Sequence, residues 1–217
     1  MQKMILVYGD SNTWGFIPQV SDEAVRERYD GNVRWTGVMQ KELGESFYVI
    51  ENGLCGRCTC RDDFFIGPEL NWNGADNFPA VFDAVQPLDL LIIMLGTNDL
   101  RSRINLSPQE SAQGIERIIN LTYKYANPRV PKILIVAPVP LCKGQNPGVN
   151  LRYGDNFNVS YKLAEAYELL AKKHSLAFFD TAKVVPCADG CDGIHLSSEA
   201  HSKIGYALAE EVKVLFS

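Results

Sequence analysis

The stretch Met4-Ile5-Leu6-Val7-Tyr8-Gly9-Asp10-Ser11-Asn12-Thr13-Trp14-Gly15 decides how the chain is read. Its first five residues are apolar without alternation, the pattern of a strand buried on both faces of a parallel sheet. The run stops at a glycine and delivers Ser11 to the carboxyl edge of that sheet, where open α/β sheets bind ligands. Asp10, Ser11 and Asn12 are also ordinary helix-capping residues. A serine whose backbone N–H opens a helix can, in addition, face a developing negative charge. The rest of the chain decides between the two.

Further apolar runs end in the same way. Phe47-Tyr48-Val49-Ile50-Glu51-Asn52 runs into Gly53, and Asp89-Leu90-Leu91-Ile92-Ile93-Met94-Leu95 runs into Gly96-Thr97-Asn98-Asp99. Lys132 to Ala137 forms a fourth strand closed by Pro138-Val139-Pro140, and Leu176 to Asp180 a short fifth. Helical spacing fills the intervals. Arg34 to Gly44 places Trp35, Val38, Met39 and Leu43 on one face, and Asp76 to Val85 forms a short helix interrupted by Pro79. Ser107-Pro108-Gln109-Glu110 is a capping box opening a helix that stops before Asn127-Pro128. Residues 158–174 read as one helix, and Ser197 caps a last one carrying Ile204, Leu208, Val212 and Leu215 inward. Segments 16–33, 54–75, 141–155 and 181–194 read as loops. The second of these, with Phe64-Phe65-Ile66 and Trp72, reads as packed lining.

This alternation predicts an α/β fold: one flavodoxin-like, three-layer domain over residues 1–217, with a central parallel sheet of about five strands. The first turn lacks Gly-x-Gly-x-x-Gly, and no Gly-x-x-x-x-Gly-Lys loop occurs, which argues against dinucleotide and nucleotide binding. The 217 residues are 46% hydrophobic and 22% charged with a net charge of −5, which argues against nucleic acid or an anionic membrane as partner. No signal-peptide pattern or membrane span is read, so a cytoplasmic protein is expected. Self-association is left open. Cys55, Cys58, Cys60, Cys142, Cys187 and Cys191 miss the paired spacing of a zinc site and read as free thiols, with a Cys187–Cys191 bridge conceivable. No metal and no cofactor is invoked.

Three strand ends thus supply Ser11, Gly53 and Asn98, and the last loop supplies Asp192-Gly193-Ile194-His195. A hydroxyl nucleophile needs a base, and histidine titrates near neutrality. The base needs a carboxylate to fix its tautomer, and Asp192 stands three residues before His195. A tetrahedral oxyanion needs fixed donors, which backbone N–H groups and an asparagine amide can supply. His174 has a simpler reading at a helix end, and His201 can be surface.

In the blocks Gly9-Asp10-Ser11, Asn52-Gly53, Gly96-x-Asn98-Asp99 and Asp192-x-x-His195 the chain resembles the SGNH (GDSL-type) serine hydrolases. Through Thr13-Trp14-Gly15, Val33-Arg34-Trp35-Thr36-Gly37, Ile92 to Asp99 and Asp192-Gly193-Ile194-His195 it is similar to the arylesterase/acyltransferase branch. The resemblance implies Ser11 as nucleophile, His195 as base, Asp192 as its orienter, and an oxyanion hole from Ser11, Gly53 and Asn98. Asn12 departs from the leucine that gives the GDSL motif its name. The expected activity is hydrolysis of small-molecule esters with small acyl groups through an acyl-serine, with acyl transfer to other acceptors. Deacetylation of sugars, thioester hydrolysis and a non-catalytic binding role are the alternatives. Asp10, Trp14, Phe65 and Ile66 are the expected substrate contacts, Trp14 and the aromatics narrowing the acyl pocket.

Overall fold

The computed structural model describes residues 2–63 and 71–217, so the expectations placed on Phe64, Phe65 and Ile66 lie outside the described residues. Five strands, β1 Lys3–Gly9, β2 Phe47–Gly53, β3 Leu90–Met94, β4 Lys132–Ala137 and β5 Ala177–Asp180, form one sheet in the order β2-β1-β3-β4-β5. Every pairing is parallel, with Gly9 opposite Gly53 on one side and Met94 on the other. This is the flavodoxin-like order, and its direction reverses between β1 and β3. The helices are α1 Ser11–Trp14, α2 Trp35–Leu43, α3 Gly74–Ala84, α4 Pro108–Tyr125, α5 Pro147–Tyr153, α6 Phe157–Ser160, α7 Leu163–His174 and α8 Ser198–Phe216. None of them is long and apolar enough to cross a membrane.

The continuous apolar runs follow from burial on both faces. Successive strand side chains point to opposite sides, so Leu6, Tyr8, Leu91 and Ile93 pack with Phe78 and Phe82 of α3 and Ile115 and Ile118 of α4. Ile5, Val7, Leu90 and Ile92 pack on the other side with Trp35 and Met39 of α2 and Ile204 and Leu208 of α8. Each such fully buried side chain contributes about 1.5–3 kcal/mol of transfer free energy. The two layers fix the strand register, and the register brings Gly9, Gly53 and Met94 level at one edge.

Three local readings are corrected. The segment 141–155 is not all loop, because Asn146 accepts from Val149 N at 3.1 Å and Pro147 starts α5. The helix expected over 158–174 breaks into α6 and α7, where Ser160 Oγ turns to accept from Leu141 N at 2.9 Å. The third helix starts at Gly74 because Asn73 caps it, and it runs through Pro79. The capping box at Ser107 and Glu110 forms as read.

His201 is not a surface residue. It is fully buried, its Nδ1 accepts from Trp35 N at 3.3 Å, and Tyr29 meets its ring at 5.3 Å. Burial pulls its pKa down to about 4. Between that value and the unfolded 6.5 the unfolded chain binds a proton that the native chain does not, so stability falls as the pH drops through this window. The expected loss is of order 3 kcal/mol. In His201→Asn, which keeps an acceptor near Nδ1, the fall in urea midpoint between pH 6.5 and 4 should shrink. An unchanged fall would assign it to other groups.

Candidate active site

β1 hands its end directly to a single helical turn. Asp10 is the cap residue, its Oδ1 accepting from Asn12 N at 3.0 Å, which places Ser11 at the first helical position. First-turn N–H groups have no helical acceptor. Ser11 N donates to none of the described residues, and its side chain lines a cavity of about 520 Å³.

The last loop brings His195 over this hydroxyl. His195 Nε2 lies 3.0 Å from Ser11 Oγ, and Nδ1 lies 2.7 Å from Asp192 Oδ2. The three-residue spacing lets one carboxylate do two things. Its Oδ1 accepts from Ile194 N at 3.0 Å and His195 N at 2.9 Å, shaping the turn, while Oδ2 holds the ring. Burial alone would raise the Asp192 pKa, but the hydrogen bonds and charge of His195 outweigh it and bring the carboxyl to about 2. An ionised Asp192 can only accept, so Nδ1 carries the ring proton and Nε2 is left to accept from Ser11. Phe16 stacks on the imidazole with centroids 4.2 Å apart.

The opposite wall comes from the loops after β2 and β3. Asn98, 2% exposed, lines the cavity, and its Nδ2 donates to Arg57 O at 3.1 Å and approaches Asp10 Oδ2 at 3.5 Å. Gly53 is not brought to the cavity. Leu54, not Gly53, donates to Gly9 O (3.1 Å), so the Gly53 N–H faces off the outer edge of β2. A side chain at Gly53 would collide with the α1 backbone at Thr13 and Trp14. The glycine that lines the cavity is Gly56, third in a turn closed by Arg57 N to Leu54 O at 3.0 Å. Its φ of +91° is the value that a glycine at this place in a type II turn supplies. The Gly56 N–H donates to no described residue.

Two residues to which the sequence assigns no role, Arg57 and Asp99, hold these loops. The buried Arg57 guanidinium donates to Gly9 O and Asn52 O, each at 2.8 Å, and lies 4.0 Å from the Tyr8 ring, tying the ends of β1 and β2. Asp99, also buried, accepts from Thr59 N at 2.8 Å and Thr59 Oγ1 at 2.7 Å, tying the loop after β2 to the loop after β3.

The family model for the GDSL-like lipase/acylhydrolase family matches residues 7–203. The chain belongs to that family. Among solved structures, the aryl esterase of M. smegmatis is 39% identical, with a TM-score of 0.92, over 98% of this chain and 99% of that one. Est24, a carbohydrate acetylesterase from Sinorhizobium meliloti, is 36% identical, with a TM-score of 0.91, over 99% of this chain and all of that one (100%). An acetylxylan esterase of Xylanibacter ruminicola is 25% identical over 91% of this chain, which spans 45% of that protein's length. This GDSL-like hydrolase is a carboxylic ester hydrolase.

In this family member the residue after Ser11 is used in an unexpected way. Asn12, 4% exposed, donates through Nδ2 to Ile194 O at 3.2 Å and accepts through Oδ1 from Leu196 N at 3.2 Å. One amide therefore grips the backbone on both sides of His195. A leucine could make neither bond.

Two expected substrate contacts stand elsewhere. Asp10 is 1% exposed and is not among the lining residues; burial raises its pKa to about 6 against the Asn12 hydrogen bond and nearby cations. Trp14 is not among the described lining residues either, and Arg26 at 4.2 Å and Arg28 at 5.0 Å lie over its ring. All six cysteines are free, and no group of three or more His, Cys, Asp or Glu among the described residues could hold a metal ion.

Proposed function

We propose that the chain hydrolyses esters with small acyl groups through an acyl-Ser11 intermediate, and that the acyl group can also pass to another alcohol. The observation that carries this reading is the chain Ser11 Oγ–His195 Nε2 (3.0 Å) and His195 Nδ1–Asp192 Oδ2 (2.7 Å). In the first step Ser11 Oγ attacks the ester carbonyl while Nε2 takes its proton. Collapse of the tetrahedral species expels the alcohol, which receives that proton from His195. Water or a second alcohol then attacks the acyl-serine with the roles reversed. Asp192 stays ionised throughout and stabilises the imidazolium.

The oxyanion is held by the Ser11 N–H, the Gly56 N–H and the Asn98 amide. Gly56 is chosen over Gly53 because it lines the cavity and its N–H donates to no described residue. Asn98→Ala is expected to lower kcat by about 10²–10³ with KM little changed, since the donor acts on charge that exists only in the transition state. Steady-state kinetics on an acetyl ester would check this, and a change confined to KM would make Asn98 a substrate-binding residue.

Asn12 is the positioning residue of the base. Asn12→Leu is expected to lower kcat about ten- to a hundredfold at unchanged KM, because small displacements of a catalytic group are costly. Asn12→Asp, which keeps the acceptor toward Leu196 N but loses the donor, should fall between. Equal kcat in all three would remove the clamp from the account.

The substrate reading is supported by the likeness to an aryl esterase and to carbohydrate acetylesterases along nearly the whole chain. With no span among the described helices and six free thiols, the setting we propose is the reducing cytoplasm. Rates on 4-nitrophenyl esters of increasing acyl length, with and without an added alcohol, test the reading. Preference for acetyl to butyryl, with a transfer ester among the products, is expected. A rate that peaks at octanoyl or beyond would overturn the small acyl group, and products without transfer ester would overturn transfer.

A further inference from the structure

The cavity in front of Ser11 is lined by four arginines, Arg26, Arg101, Arg103 and Arg152, and no carboxylate is among its described lining residues. That is unexpected in a chain with a net charge of −5. The guanidiniums come from three separate segments: Arg26 from the loop after α1, Arg101 and Arg103 from the loop after β3, and Arg152 from α5. Their counter-charges are Asp63, buried behind the wall, and Asp22, which lines an adjoining cavity. Arg101 Nη1 donates to Asp63 Oδ2 at 2.9 Å, and Arg103 Nε reaches the same oxygen at 2.9 Å. Arg152 forks onto Asp22 at 2.9 and 2.8 Å.

Arg26 is paired differently. It lies 4.2 Å over Trp14 and makes no salt bridge to a described carboxylate. Its neighbour Cys55 does not neutralise it, because burial pushes that thiol up to about 11. The role of Trp14 follows: a flat face that holds a cation at the cavity wall.

Arg26 and Arg152 also mark a direction. A smaller cavity of about 260 Å³ adjoins the first and shares Phe16, Arg26, Val149, Arg152 and His195 with it. The carboxylates in that smaller cavity, Asp22 and Asp192, are already engaged by Arg152 and His195. His195 is the group that returns a proton to the departing alcohol, whereas Gly56 and Asn98 lie toward the oxyanion. The cationic wall beside His195 therefore faces the leaving alcohol.

We infer that this enzyme takes esters whose alcohol portion carries a carboxylate or a comparable anion, held by Arg26 and Arg152. The inference rests on the roles proposed for Ser11 and His195. Arg26, with no described carboxylate partner, supplies the unbalanced charge, and Arg152, whose fork is on Asp22, adds its remaining N–H donors. Charge-assisted bonds to a carboxylate are stronger than bonds to a neutral oxygen. A neutral polyol could also be met by arginines, so the test must vary charge alone.

The pair 4-acetoxybenzoate and 4-acetoxybenzamide changes the charge at nearly constant size, and leaving-group ability alone would favour the amide, whose phenol is the more acidic. At low ionic strength kcat/KM for the acid should exceed that for the amide by about tenfold, mainly through KM. The ratio should fall toward one in about 1 M salt, where charges are screened within a few ångströms. It should fall likewise in the Arg26→Gln, Arg152→Gln double variant. Titration calorimetry of Ser11→Ala with both compounds reads binding without turnover, and the acid should bind more tightly. A ratio at or below one, or one that salt and the double substitution leave unmoved, overturns the anionic alcohol and leaves the hydrolase reading standing. Absence of turnover on both esters, with selective binding of the acid by Ser11→Ala, overturns the hydrolase reading and retains the anion site. Absence of both takes down the two together.

Discussion

Ser11→Ala and His195→Ala are each expected to lower kcat on an acetyl ester by about 10⁶, and the double variant is expected to lose no more than either. The two side chains act as one unit across a single 3.0 Å hydrogen bond. Without the hydroxyl there is nothing for Nε2 to deprotonate, and without Nε2 the hydroxyl stays a weak nucleophile. The residual rate belongs to the oxyanion donors, which neither substitution touches. Losses that added in the double variant would mean that the two residues serve separate steps. Urea midpoints near the wild-type value would show that chemistry, not folding, is lost, since each change removes one side chain at the cavity surface.

Asp192→Asn should cost about 10⁴ in kcat with the geometry retained. An amide at this position can donate to Nδ1, which turns the imidazole to the tautomer whose Nε2 carries a proton and cannot accept from Ser11. It also cannot stabilise the imidazolium. Stability moves with it in a defined direction. The Asp192 carboxyl is held below its ordinary 3.8, at about 2, so its contribution is present above the unfolded value and is lost as the pH falls from about 4 to about 2. That contribution is about 2 kcal/mol. Asp192→Asn should lose this acid-dependent step in its urea midpoint while remaining folded at neutral pH. A variant with wild-type kcat would show that His195 is oriented without the carboxylate.

The strands and the candidate triad were legible in the sequence for physical reasons. A strand buried on both faces must be apolar throughout, and β1 and β3 are. The Asp192–His195 pair is local, so its geometry is written in a three-residue spacing. The glycine proposed for the oxyanion was not legible. Gly53 ends β2 and Gly56 follows three residues later, and only the register of β2 on β1 turns the Gly53 N–H to the outer edge and leaves Gly56 on the cavity. The roles of Arg57 and Asp99 are not legible, because a buried charge looks like any surface charge until its backbone acceptors and donors are in place. His201 carried a signal that could have been used: it falls three residues before Ile204 on the stripe continued by Leu208 and Val212. Asn146-Pro147 lies in a Gly-, Asn- and Pro-rich segment that reads as loop, yet it is also the signature of a cap followed by a first helical proline.

Covalent labelling with a fluorophosphonate, read by intact mass and peptide mapping, tests the nucleophile most directly. One adduct per chain on the peptide containing Ser11, slowed by a competing acetyl ester and absent from Ser11→Ala, is the predicted result. A wild-type protein that stays unlabelled, or a Ser11→Ala variant that labels equally well, would contradict the assignment of Ser11.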